Sequence, residues 1–382
     1  MEKQKIKVMQ LISHMDEGGA QRIVLNYLED LKNDSDIETK LYVYRKATNS
    51  HWDKIIKEKE LNVEYLNAQA SKVKIPYIKR WFNRRLAEKQ WEKAIKEFKP
   101  DVVHVHISEF LLFTLKPIVN SRVPVRFTTL HDDPSRKKGK KLRIISHAFQ
   151  KEQFIPVCIT KEQALIGQKC FGFKDYEVVK NGIDVQNIKE KMVSKDKARE
   201  LYNIPNDAYV IIGVGRLSDQ KNFGLLIDAF NIVLKQRPNA LLIIAGKGPE
   251  LANLQKKTKK LKIEDKVRFI GSQDNIVPLY CAADIMGIPS IKEPCSLVLL
   301  ESQVCGLRNV ISSAVPDESI ITDKVKKMLP NATNEDWANA LQDQSYNGKA
   351  VCNMSENEVH FVSQRMKDLY IKYWKKYKNK EN

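Results

Sequence analysis

The chain has 382 residues, 42% of them hydrophobic, and 65 Lys and Arg against 47 Asp and Glu, for a formal net charge of +18. That length suits two domains with real cores, and the charge favours anionic partners: nucleic acid, an acidic membrane surface or phosphorylated substrates. The apolar run Val8 to Ile12 is too short for a signal peptide and no stretch approaches the ~18 apolar residues of a membrane span, so a cytoplasmic chain is expected. Six scattered cysteines (Cys158, Cys170, Cys281, Cys295, Cys305, Cys352) show neither Cys-x-x-Cys nor paired Cys/His spacing, which argues against a zinc site and a disulfide framework.

Taken in order, Ile6 to Ser13 reads as a strand that turns through Gly18 and Gly19 into a helix from about Gln21 to Leu31. Two glycines at that turn suit a close backbone approach or positive φ, but without a third they do not complete a dinucleotide fingerprint. Alternation continues with strands at 38–44, 62–66, 101–106, 123–130, 154–159 and 176–180. Between them fall helices at 52–59, 75–98, 109–119, 140–150 and 161–170. A polar, Lys-rich stretch between about Asn181 and Asp207 reads as a boundary. The pattern then restarts with strands at 210–214, 240–245 and 266–270 and helices at 223–236, 250–261 and 276–282. Strands alternating with helices imply two doubly wound parallel sheets, and a last amphipathic helix with a basic, aromatic tail runs from Glu356 to Asn382.

The stretch from Asp284 to Gly306 reads as strand, loop and helix. Ser296 is an N-cap candidate, and Leu297, Leu300 and Val304 share a helical face. Glu293 before the helix and Glu301 within it bracket a helix N-terminus, whose N–H groups and positive dipole end suit a phosphate or a polyhydroxylated group. Four strand ends of the second half carry small or charged residues: Gly213 to Asn222 with Gly215, Arg216 and Lys221; Gly246 to Glu250; Gly271 and Ser272; and Pro289 and Ser290 ahead of Glu293. Two cations at a strand's carboxyl edge would satisfy a diphosphate.

The combination Gly-Arg-Leu-Ser-x-x-Lys-Asn, Ala-Gly-x-Gly, Phe-Ile-Gly and Glu-x7-Glu resembles the retaining glycosyltransferases of family 4, of GT-B fold. The resemblance covers essentially the whole chain, and Leu299 to Glu318 looks like the bacterial capsular and exopolysaccharide members. It implies an α/β chain of two Rossmann-like domains, an acceptor-side domain over 1–185 and a nucleotide-sugar domain over 186–356. A C-terminal helix over 357–382 would return to the first domain. By resemblance Arg216 and Lys221 grip the donor's diphosphate, Glu301 takes the ribose hydroxyls, and Glu293, with the backbone of Cys295, Ser296 and Leu297, holds the donor sugar. His131 reaches that sugar, Gly18 and Gly19 lie near phosphate and acceptor, and Gly215, Gly246, Gly271, Ser272 and Ser290 line the donor. The base is read near Gly271 and Ser272. Glu293-Pro-Cys-Ser and Gly306-Leu-Arg depart from the family's usual Glu-Gly-Phe-Gly and Gly-x-Pro, and Pro294 removes one N–H.

The expected activity is transfer of a hexosyl or N-acetylhexosaminyl unit, with retention, from a nucleotide sugar, UDP-linked, to a lipid-linked or surface glycan. No cofactor is expected: Asp34-Ser-Asp36 makes no convincing metal motif, so Arg216 and Lys221 would stabilise the leaving diphosphate. A basic helical region over 72–99 interleaved with Trp81, Phe82, Trp91 and Phe98, and a basic loop from Arg136 to Arg143, fit an anionic membrane surface; the alternative for the helix is core packing with a solvated basic face. Other glycan-assembly enzymes are further partners. A non-catalytic GT-B subunit that supports a partner transferase, an epimerase or phosphorylase relative, and a nucleic-acid binder are the competing readings; the last lacks a reader module. His104 and His106 read equally as core or as site residues.

Overall fold

Runs of Val, Ile and Leu form strands buried on both faces, each followed by a helix that covers the sheet, which is the pattern of a parallel α/β chain. The computed structural model describes residues 4–15, 18–45, 51–66, 76–293, 295–346 and 355–381. Pro294 and Cys352, named above, lie outside the described residues, as do residues 72–75 of the basic stretch and the side chains of residues 76–81, Trp81 among them.

The chain divides into two compact units, residues 1–182 with 356–382, and residues 183–355. The first contains β1 (Ile6–His14), α1 (Gly19–Asp30), β2 (Ile37–Arg45), α2 (His51–Glu58), β3 (Val63–Tyr65), α3 (Pro76–Phe98), β4 (Val102–His106), α4 (Leu111–Asn120), β5 (Val125–Leu130), α5 (Gly139–Gln150), β6 (Ile155–Cys158), α6 (Lys161–Phe171) and β7 (Glu177–Val178). Its seven parallel strands run in the order β3-β2-β1-β4-β5-β6-β7. The second unit contains α7 (Val185–Glu190), α8 (Lys195–Leu201), β8 (Tyr209–Val214), α9 (Phe223–Gln236), β9 (Ala240–Ala245), α10 (Leu251–Leu261), β10 (Val267–Gly271), α11 (Val277–Ala282), β11 (Ile285–Ile288), α12 (Leu297–Val304), β12 (Arg308–Ile311), β13 (Val325–Lys327) and α13 (Asn334–Gln342). Its six strands, also parallel, are ordered β10-β9-β8-β11-β12-β13. In each sheet the strand order reverses direction beside the first strand, at β1/β4 and at β8/β11.

The last helix, α14 (Val359–Glu381), belongs to the first unit. Tyr370 is buried, its ring edge-on to Phe127 of β5 at 5.4 Å, and Lys367 pairs with Asp34 and Asp36 at 2.6 and 3.0 Å. The Asp34-Ser-Asp36 carboxylates thus act as a clasp for α14.

Two parts of the chain hold more structure than sequence reading assigns. The Lys-rich stretch read as a boundary does begin the second unit, but it folds into α7 and α8, because Asp184 and Ser194 each accept from the third N–H beyond them and cap those helices. Strands β12 and β13 and helix α13 also escape the alternation, the strands being three or four residues long; α13 is closed by a capping box between Thr333 and Asp336. Trp91 and Phe98 of α3 lie in the core with Ala87, Ala94 and Ile95, while Phe82 and Leu86 face outward at 42% exposure each. The C-terminal half of α3 is therefore a core-packed helix with a solvated basic face.

A buried guanidinium holds the second unit's helical layer to its sheet. Arg199, on α8, donates to the carbonyls of Ala282 and Ala208 at 3.2 and 3.0 Å and to Asp284 at 3.0 Å, and Asp284 also accepts the Val210 N–H at 2.7 Å. Asp284→Ala would leave Arg199 buried without its counterion. The expected outcome is a loss of roughly 3 kcal/mol from the second unit's unfolding free energy, read by denaturant titration.

Candidate nucleotide-sugar site

Reversal of strand order beside β8 makes the helices after β8 and β11 cover opposite faces of the sheet, so their leading loops part and open a crevice at the carboxyl edge. The loop after β8 carries Gly215, Arg216 and Lys221; the loop after β11 carries Ser290 and Glu293. The two loops are tied across the crevice: Ile291 N–H donates to the Gln220 carbonyl at 2.8 Å, and Gln220 Nε2 donates to the Lys292 carbonyl at 2.9 Å. Lys221 Nζ forms an ion pair with Glu293 Oε2, which also accepts from Ser290 Oγ at 3.1 Å. Glu293 is buried and Arg216 exposed.

Backbone closeness explains the glycines beside them. Gly246 sits at φ +141°, and a Cβ there would lie 1.9 Å from the Gly215 carbonyl oxygen, so the loops after β8 and β9 touch only because no side chain intervenes. The Gly246 N–H in turn donates to the Gly271 carbonyl at 2.8 Å, which brings Gly271 and the half-buried Ser272 onto the same edge.

Helix α12 begins on the far side of this edge. Ser296 occupies its N-cap, as expected, but makes no side-chain cap bond; its hydroxyl is buried and has no partner among the described residues. With no side chain closing it, the helix N-terminus keeps amide donors for an anion. Cys295 is half-buried before it, and Leu297 opens the helix. One turn in, Glu301 is 3% exposed and accepts from the Tyr280 hydroxyl at 2.9 Å through Oε2. Gln303 fixes this turn: its Nε2 donates to the Ser319 carbonyl at 2.9 Å and its Oε1 accepts the Ile321 N–H at 2.8 Å. Sequence reasoning missed Gln220, Tyr280 and Gln303. The available signal was Glu-Ser-Gln, three polar residues in succession at 301–303 in an otherwise apolar helix.

The structure places Gly18, Gly19 and His131 in the first unit and the other expected residues in the second. Gly18 is extended, with φ 178°, and Gly19 is the first residue of α1, so of the two expectations for that turn the close approach holds and not the positive φ: a Cβ on Gly18 would lie 2.5 Å from Gln21 Oε1. His131 follows β5 within a row of imidazoles. His104 and His106, two residues apart on β4 and so on one face, stack with centroids 4.1 Å apart; His106 Nδ1 lies 3.4 Å from His131 Nε2 and its Nε2 lies 3.0 Å from Gln10 Oε1. His104 contacts the Tyr370 and Thr129 hydroxyls at 2.7 and 2.6 Å. Burial holds all three neutral, pushing His104 down to about 3, His131 to about 4 and His106 well below the usual range. In the basic loop, Lys137 is buried between Glu109 and Asp132, and Lys141 pairs with Glu109 at 2.7 Å, so half of the loop's lysines are locally neutralised.

An unfolded histidine titrates near 6.5, so as pH falls the unfolded chain takes up protons before these three do. Their contribution to stability is complete above about pH 6.5 and is lost as pH falls toward 4. Melting temperature followed from pH 7.5 to 4.5 should fall, and His106→Phe should flatten that slope.

Comparison with known proteins agrees with this architecture. Residues 194–359 match the family described as glycosyl transferases group 1. The chain is 28% identical to N-acetyl-alpha-D-glucosaminyl L-malate synthase of Bacillus anthracis over 59% of this chain and 60% of that protein. It is 26% identical to the lipopolysaccharide core biosynthesis glycosyltransferase LpsD of Rhizobium meliloti over 65% of each. The chain thus spans just under two thirds of the length of these two curated relatives. Among solved structures, Anabaena HepE superposes with a TM-score of 0.78 at 19% identity, covering 95% of this chain and 99% of that one. The two parallel-sheet units have the GT-B fold, and residues 194–359 are similar to the group 1 glycosyl transferases.

Proposed function

We propose that the chain transfers a sugar from a UDP-linked donor to a lipid-linked or surface glycan in bacterial polysaccharide synthesis, with retention and without a metal. The observation that carries this reading is the joining of Arg216, Lys221, Glu293 and the open N-terminus of α12 on the carboxyl edge beside β8. Lys221 and Glu293 are each other's counterion. A bound diphosphate supplies Lys221 with a second anion, freeing carboxylate lone pairs for sugar hydroxyls. As the glycosidic bond breaks, negative charge grows on the leaving phosphate, where two cations and helix N–H groups stabilise it. The leaving phosphate takes the acceptor's proton on the same face, which preserves configuration. His131, kept neutral by burial, serves as a hydrogen-bonding group and not as a charged acid. The curated relative LpsD is named for lipopolysaccharide core biosynthesis, and HepE was solved with UDP-glucose; both agree with this donor and acceptor class.

The membrane is the proposed location of the acceptor, and the protein is cytoplasmic and peripheral in this reading. No helix among the described residues is long and apolar enough to cross a membrane. Outward-facing Phe82 and Leu86 and the C-terminal turns of α14, where Trp374 stacks on Tyr377 at 5.8 Å beneath Lys378, combine apolar and basic groups.

Calorimetry of wild type and Arg216→Ala against UDP, GDP and ADP tests the donor. Binding of UDP that falls at least about tenfold in the variant is expected, since one charge-assisted bond to phosphate is lost. Equal binding by both proteins removes Arg216 from the site. Lys221→Ala should abolish transfer from UDP-sugars with the melting transition retained; UDP binding without turnover in wild type would favour the non-catalytic subunit. Truncation after Tyr370 should reduce sedimentation with anionic liposomes, and unchanged sedimentation would release the tail from this role.

A further inference from the structure

Tyr280 lies in α11, the short helix that enters β11. Its ring is 1% exposed and packs in the core with Leu279, Ala282, Ile288 and Leu299. A phenylalanine would fill that space equally well, so packing alone does not account for the hydroxyl. A buried tyrosine hydroxyl requires a partner, and this one donates to Glu301 Oε2 at 2.9 Å. The bond joins a side chain fixed by the core to one with three rotatable bonds. It also stabilises a carboxylate that is 3% exposed and has lost most of its hydration. An ionised carboxylate has about four lone-pair sites, so a single bond from Tyr280 can orient it without itself using the sites that two vicinal ribose hydroxyls need.

We propose that Tyr280 is a positioning residue that makes Glu301 selective for ribonucleoside-diphosphate sugars over 2′-deoxyribose-linked ones, such as deoxythymidine-diphosphate sugars. The role rests on the nucleotide-sugar reading of the site. A mobile carboxylate would meet either sugar hydroxyl in several poses and gain little from the second one. A carboxylate held in one plane has its lone pairs aimed at both hydroxyls at once, so loss of the 2′-hydroxyl leaves an aimed, buried acceptor unmatched.

The experiment is calorimetry of the full chain, as wild type, Tyr280→Phe and Glu301→Ala, against UDP and 2′-deoxy-UDP, with GDP and ADP and their 2′-deoxy forms run in parallel. Wild type should prefer the ribonucleotide by at least about tenfold, the value of one well-placed hydrogen bond. Tyr280→Phe should lose about tenfold in affinity for UDP and nothing for 2′-deoxy-UDP, so that the preference collapses while retained deoxynucleotide binding shows an intact fold. A full preference in Tyr280→Phe, or an equal loss for both ligands, would overturn the proposal. Preserved preference in Glu301→Ala would instead overturn the ribose role of Glu301, and failure of wild type to bind any of the nucleotides would overturn the donor site itself.

Discussion

All strands in both sheets are parallel, and this places every strand's carboxyl end on one edge with the loop and helix N-terminus that follow it. In the second unit β8 has β9 on one side and β11 on the other, so the chain leaves its first strand in one direction and returns in the other. The crevice exists because of that reversal. Everything chemical in the unit depends on it: the cations after β8 and the carboxylates after β11 are about seventy residues apart in the chain, and only strand order makes them neighbours. The Gln220 bonds to Ile291 and Lys292 then hold the two loops together, so the Lys221–Glu293 pair forms between anchored backbones.

The first unit shows a different use of burial. Three imidazoles lie in a row at the ends of β4 and β5, and desolvation keeps each uncharged. Neutral imidazoles can pack ring against ring at 4.1 Å, which three cations could not. Tyr370 supplies one of the hydroxyls that satisfy His104, so the chain's last helix completes a polar network in the first unit's core. That contact, with Lys367 between Asp34 and Asp36, explains in hydrogen bonds and charge why α14 returns to the unit in which the chain began.

The distribution of basic residues qualifies the bulk charge. A net charge of +18 reads from composition as one large anionic-partner surface. In the folded chain part of it is internal: Arg199 is buried among carbonyls and Asp284, and Lys137 lies between Glu109 and Asp132. Others remain outward, among them Arg85 and Lys89 on α3, beside Phe82 and Leu86, and Lys375, Lys376, Lys378 and Lys380 along the last turns of α14.

The alternation of strand and helix and most elements longer than four residues were legible in the sequence, because burial on two faces demands continuous apolar runs and helical periodicity is local. Arg216, Lys221, Glu293 and Glu301 were singled out in the sequence as well, as cations and carboxylates at or near strand ends, but their roles came from the family resemblance and not from spacing. The short β12 and β13 were not, because three or four residues carry no period. Helices α7 and α8 were hidden by a Lys-rich composition that their N-caps and one buried arginine outweigh. Tyr280, Gln220 and Gln303 look like an ordinary core tyrosine and two ordinary glutamines. Their roles come from what lies opposite them in space, which no local pattern encodes, and for the same reason the stacking of His104 and His106 and their link to His131 was decided only when β1, β4, β5 and α14 came together. The sequence by itself determined the alternation and the chemistry available at each strand end; the tertiary structure decided which of those ends meet, because hydrogen bonds and ion pairs act over a few ångströms and the order of strands in a sheet is not the order of the chain.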